Sequence, residues 1–207
     1  MPPTYCPGTP VPVVLPAGAR LIRVLRLGKH SPTGFSHTVP VPPDGGRFDT
    51  LDPSYGHLYL AETAAGAVAE ALLRGPSGPS AANRLLPRAA LADRAMAEIE
   101  LQRPTSVVSL RGPDVGHVCQ DAWLTKCEHD AYPLTRLWGA AIRQWAPAEA
   151  GFMWWARRDE HELAMVLYDD RVAAADVTLI GAPVPLGYGP GFDLVVSLLA
   201  LHNVTVA

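Results

Sequence analysis

Over RLIRVLRL (20–27) Leu, Ile and Val are interrupted by Arg20, Arg23 and Arg26, and this apolar–basic run predicts a strand with one buried face. HLYLA (57–61) predicts a second short strand, and ETAAGAVAEALLR (62–74) a helix, with Thr63 as N-cap and Gly75–Pro76 as its stop. A strand thus runs directly into a helix. Further strands are expected at RAMAEIELQ (94–102), TSVVSL (105–110), FMWWA (152–156), ELAMVLYD (162–169) and ADVTLIG (175–181). Leu134, Leu137, Trp138, Ala141, Ile142 and Trp145 recur at three-to-four spacing and predict a helix with a core-facing stripe.

RLLPRAALADR reads as a broken helix, and DLVVSLLALH as a closing helix or strand, because its apolar run has no clear period. Residues 28–46 and PSGPSAAN (76–83) read as loops. The sum is an α+β domain of about 6–8 short strands with flanking helices. Residues 1–19, broken by prolines, are expected to form an irregular N-terminal arm, and 20–207 a single domain.

Composition narrows the function classes. With 207 residues, 48% of them hydrophobic, the chain can bury a full core. A formal charge of -3 and the lack of any Lys/Arg run argue against direct contact with nucleic acid. No stretch predicts a membrane span or a secretory leader. Three cysteines, Cys6, Cys119 and Cys127, suggest a reducing cytoplasm and no disulfide framework.

Three constellations could carry chemistry. HVCQDAWLTKCEH offers His117, Cys119, Cys127 and His129, but the one-residue gaps do not suit a tetrahedral zinc site, so no metal is expected. A hydrolase triad lacks a G-x-S-x-G elbow. The third set is Arg47, Tyr59 and Glu70. Arg47 sits in GGRFDT (45–50), where Gly46 lets a ligand come close and the guanidinium suits an anion. Tyr59 lies in a strand, where an aromatic is usually core, and Glu70 is the one acid within GAVAEALLR, either solvated or turned toward a cleft.

The string GGRFDT…HLYLAETAAGAVAEALLR resembles the signature of the RES domain family, in which a Gly-Gly-Arg loop precedes a strand–helix unit. IELQRPTSVVSLRG, YPLTRLWGAAIRQW and GFMWWARRDEHELAMVLYDDR resemble later family segments, in order, over roughly residues 20 to 181. The resemblance implies an ADP-ribosyltransferase-like fold with a split sheet. It also implies an NAD-consuming activity, as in bacterial toxins that deplete NAD and are held in check by an antitoxin with a helix-turn-helix region.

On that resemblance Arg47 would grip the phosphates or a ribose of NAD, with Gly46 allowing close approach. Tyr59 would stack on nicotinamide, Glu70 would stabilise the sugar cation, and Arg157 would assist binding. Glycohydrolysis, phosphorolysis and ADP-ribose transfer to a protein all share this site, and a non-catalytic RES-like module is a further alternative. Two positions depart from the family: Ala156 stands where a Ser is usual, and Asp49 where Asn is frequent. A homodimer is compatible with the five tryptophans.

Overall fold

A computed structural model describes residues 1–6, 8–42, 44–73 and 84–207. Its centre is one sheet of eight strands in the order β1-β6-β7-β8-β3-β2-β5-β9, and a two-stranded sheet, β10-β4, stands apart from it. The strands are β1 (Pro12–Leu15), β2 (Arg20–Arg26), β3 (His57–Ala61), β4 (Arg84–Leu86), β5 (Arg94–Leu101), β6 (Thr105–Ser109), β7 (Gly151–Trp155), β8 (Leu163–Tyr168), β9 (Val177–Pro185) and β10 (Val204–Val206). The helices are α1 (Ala64–Leu72), α2 (Trp123–Lys126), α3 (Tyr132–Trp145) and α4 (Gly189–Ala200). The fold is α+β, as the periodicity implies.

Pairing is antiparallel throughout the large sheet except between β6 and β7. One apolar cluster, including Phe48, Val68, Trp138, Phe152 and Trp154, packs the helices against the sheet. A second, including Leu21, Leu58, Ile99, Met153 and Met165, forms another buried core region. Alternate side chains of β7 enter different clusters, Phe152 and Trp154 the first and Met153 the second, which is the strand period at work.

One joint in the sheet is weak, and it places the cleft described below. β2 pairs with β5 over seven positions, and β3 pairs with β8 over five. Between β2 and β3 the register is a single pair, Ile22 with Ala61. From that pair the antiparallel strands splay, β2 toward Arg26 and β3 back toward His57, and the two halves of the sheet part.

Thr63 caps α1 as expected, its hydroxyl accepting the Gly66 N–H at 3.0 Å. The expected stop at Gly75–Pro76 and the loop 76–83 lie outside the described residues. Two expected elements need correction, and one left open is resolved. The arm is not irregular throughout, because residues 12–15 form edge strand β1 against β6, and an edge tolerates Pro12. RLLPRAALADR is no helix: Arg84–Leu86 pairs in parallel with β10, and Arg88–Leu91 is a single 3-10 turn after Pro87. DLVVSLLALH resolves as helix, within α4.

The buried faces of β2 and α3 also differ from the expected pattern. On β2, Arg23 shares the inward face with Leu21 and Leu25 and is 7% exposed. It survives there because one guanidinium nitrogen donates to the carbonyls of Ser31, Pro32 and Gly34 at 2.8–2.9 Å. Burial lowers its pKa to about 10. On α3, Trp138 and Ile142 are buried as expected, whereas Leu134, Leu137, Ala141 and Trp145 are only half-buried. The more enclosed positions include Thr135, Arg136 and Gly139, which face the GGRFDT segment.

Candidate active site

The segment 45–50 is held at many of its backbone polar groups. Gly46 N–H donates to Asp49 Oδ2 at 2.6 Å, and Phe48 N–H to the Tyr59 hydroxyl at 2.8 Å. The carbonyl of Gly46 accepts from Arg136 Nε at 3.0 Å, that of Arg47 from the Thr135 hydroxyl at 2.7 Å, and that of Phe48 from the Tyr168 hydroxyl at 3.0 Å. The burial of Thr135 and Arg136 on α3 is therefore explained: a loop threaded into the core must find partners for its peptide groups. Gly46 is required by close packing, since a Cβ there would lie 2.5 Å from Asp49 Oδ1 and 2.6 Å from the Tyr59 hydroxyl.

Asp49 is itself engaged locally. Its second oxygen lies 3.3 Å from His57 Nε2, while His57 Nδ1 accepts the Thr50 N–H at 3.4 Å. A neutral imidazole protonated at Nε2 accepts the Thr50 N–H at Nδ1 and faces Asp49 Oδ1, a buried oxygen that makes no hydrogen bond. Burial lowers the His57 pKa, and the Asp49 carboxylate opposes that only in part. The carboxylate is thus directed at Gly46 and His57.

Where β2 and β3 splay, a cavity of about 760 Å³ opens. Tyr59 from β3 and Glu70 from α1 both line it, together with Gly45, Asp49 and His57. Arg23, Arg26, Lys29 and Arg94 add cationic groups to its walls, against three acids, Asp44, Asp49 and Glu70, and burial together with these cations lowers the pKa of the adjoining His30. The volume falls within the range of small-molecule and cofactor pockets. Glu70 is oriented by β7 and the chain just after it, its Oε1 accepting the Arg157 N–H at 3.1 Å and the Trp154 Nε1–H at 3.4 Å.

Arg47 is placed differently. Its side chain does not line that cavity and is 3% exposed. The guanidinium donates to the Thr125 carbonyl, to the Cys127 carbonyl at 3.4 Å and to the Tyr132 hydroxyl at 3.2 Å, and it lies 5.0 Å from the Tyr132 ring centre. Arg157 sends its guanidinium to the exposed Glu128, and Arg158 lies 3.7 Å from the same carboxylate. Burial lowers the Arg157 pKa, and the neighbouring Arg158 and Arg47 lower it further. Ala156 is fully buried within the apolar cluster, its N–H donating to Glu162 O at 2.8 Å and its carbonyl accepting from Lys126 Nζ at 3.2 Å.

Sequence reasoning thus named two cavity-lining groups, Tyr59 and Glu70, but missed His57 and Arg23. A histidine opening a strand and an arginine in period with leucines were the available signals. His117, Cys119, Cys127 and His129 do not gather: Cys119 faces Cys6, while His129 Nε2 lies 3.2 Å from the Gly45 carbonyl. Among the described residues no group of three or more His, Cys, Asp or Glu is placed to hold a metal ion.

A mixed α+β domain with a cleft at a splayed sheet joint, lined by an aromatic and a carboxylate, is the class this geometry defines. Comparison with family models gives the particular family: the model described as RES domain matches residues 20–188. The chain belongs to the RES domain family. A search of curated proteins returns no match.

Proposed function

We propose that this protein consumes NAD by cleaving its nicotinamide–ribose bond, and that it acts in the bacterial cytoplasm as the toxin of a toxin–antitoxin pair. The observation that carries this reading is the joint presence of Tyr59 and Glu70 in one cationic cavity of about 760 Å³. Family membership supplies the supporting context.

In this reading the Tyr59 ring stacks on the nicotinamide, an aromatic contact that contributes about 1 kcal/mol. The C1′–N bond breaks with its electron pair passing to the ring nitrogen, so the pyridinium leaves as neutral nicotinamide. Positive charge develops on the ribose, where the fixed Glu70 carboxylate stabilises it. Water, or phosphate, then adds through oxygen to C1′ and gives up a proton. The cationic walls attract the pyrophosphate. Arg47 and Arg157 are assigned to binding. To contact a phosphate or ribose, Arg47 must exchange the carbonyls of Thr125 and Cys127 for substrate oxygens, and Arg157 must exchange Glu128.

The test is release of nicotinamide from NAD by the purified protein, with Glu70→Ala and Arg47→Ala alongside. Turnover lost in the Glu70 variant supports the reading; no NAD consumed at high protein concentration sinks it. Including phosphate in one arm separates phosphorolysis from hydrolysis by product, and labelled NAD with a cell extract reports transfer to protein. The partner is an antitoxin that carries the DNA-binding region, tested by co-purification with the neighbouring reading frame's product.

A second reading, a catalytically weakened module, is favoured by Ala156, which offers no hydroxyl where the family usually has serine. Ala156→Ser separates the two. A rise in turnover points to a weakened enzyme, and an unchanged rate to one that does not use that hydroxyl.

A further inference from the structure

The N-terminal arm and the 3-10 turn at Gly112–Val118 are brought together by three contacts that the proposed NAD chemistry does not use. Gly8 lies so close to the turn that a Cβ there would come within 2.4 Å of the His117 carbonyl oxygen. The Cys6 thiol lies 3.1 Å from that same carbonyl. Cys6 Sγ and Cys119 Sγ are 3.5 Å apart, across 113 positions of sequence. Cys119 ends the turn with φ of 59°, its N–H donating to Gly116 O at 3.0 Å, so its position is fixed locally. The arm is held in turn by β1 and by Ser109 N–H donating to Val11 O at 2.8 Å. Neither sulfur is deeply buried.

We propose that Cys6 and Cys119 form a reversible intramolecular disulfide, a redox clip that fastens the arm to this turn. Two sulfurs already in contact need only a small approach to reach bonding distance. With hydrogen peroxide as oxidant, the Cys6 thiolate attacks one peroxide oxygen, giving a sulfenic acid and hydroxide, which takes up the displaced proton as water. The Cys119 thiolate then attacks the sulfenic sulfur, forming S–S and expelling hydroxide, which takes the proton that the Cys119 thiol gave up and leaves as a second water. Two thiols and one peroxide yield one disulfide and two waters. In a reducing cytoplasm the clip is open, and it closes under oxidative stress. Burial and the adjacent Cys119 raise the Cys6 pKa, so closure accelerates as pH rises from 7 toward 9.

The experiment treats the reduced full chain with stoichiometric hydrogen peroxide and counts thiols after denaturation. The expected result is a fall from three thiols to one, a mass loss of two hydrogens, and a peptide linking Cys6 to Cys119, all reversed by dithiothreitol. The oxidised form should melt several degrees higher, because a cross-link closing so long a loop restricts the unfolded chain. Cys119→Ser should keep two thiols under the same treatment, and Cys127→Ser should retain the clip. Three thiols remaining, over-oxidation without a cross-link, or a cross-link between two chains would each overturn the proposal.

Discussion

Replacing Tyr59 by Phe separates what the ring does from what the hydroxyl does. In the native loop the Phe48 N–H donates to that hydroxyl at 2.8 Å, and Phe48 is 1% exposed. Removing the oxygen leaves a buried peptide donor without its acceptor, which costs about 1–3 kcal/mol. For a domain of this size, 1 kcal/mol shifts the melting temperature by about 2–4 °C, so a fall of about 2–12 °C is expected. The ring remains, still edge-on to His57 and Trp154 at 5.5 and 6.2 Å. Below the melting transition, NAD cleavage should therefore stay within about tenfold of the parent protein.

A double-substitution cycle sharpens the assay. The hydroxyl is one of the two close neighbours that exclude a Cβ at Gly46, so Gly46→Ala should cost less in the Tyr59→Phe background by at least about 0.5 kcal/mol. Thermal and urea melts of the four proteins give the coupling. Full additivity, or a melting temperature unchanged by Tyr59→Phe alone, refutes the claim that this hydroxyl organises the loop.

Three further outcomes follow from the same geometry. Glu70→Gln keeps an acceptor for the Arg157 N–H but removes the charge, so nicotinamide release should fall about 10²–10³-fold with little change in melting; a loss below threefold would remove Glu70 from the chemistry. Arg47→Ala strips donors from the carbonyls of Thr125 and Cys127 and should cost about 2–4 kcal/mol in urea unfolding; a neutral result would show that these contacts do not hold the 123–132 segment. His57 has its pKa lowered by burial, so its unfolded form binds a proton first: its contribution is intact above about pH 6.5 and is lost as pH falls toward the folded value. Melting measured from pH 7.5 to 5.5 should decline more steeply for the parent than for His57→Asn, and equal slopes would exclude His57 as the titrating group.

Local pattern carried much of this fold. β3, α1 and β8 were legible because short apolar runs, an N-cap threonine and a helical alanine run are properties of neighbours in sequence. What escaped depends on distant partners. β1 could not be read from VPVVLP, since prolines predict irregularity and only β6 supplies its ladder. β4 hides in an apparent helix because its partner is the C-terminal β10. The cleft was invisible for a related reason: Tyr59 and Glu70 were identifiable by resemblance, but the opening between β2 and β3 arises from a pairing that stops after Ile22 and Ala61.

The same distinction resolves the difficulty raised by Asp49. By position alone, a carboxylate two residues from Arg47 should weaken any anion site beside it. In the folded chain that carboxylate is spent on the Gly46 N–H and His57, while Arg47 turns to the carbonyls at 125 and 127. Arg136 and Thr135, buried on α3, hold the carbonyls of Gly46 and Arg47, and Tyr59 and Tyr168 grip Phe48 from the sheet. The segment GGRFDT is thus tied down before any substrate arrives. Those bonds keep Tyr59 and the His57–Asp49 pair in register beside the cavity, and on the function proposed above a wall set in advance lets binding energy go to the ligand rather than to ordering the loop.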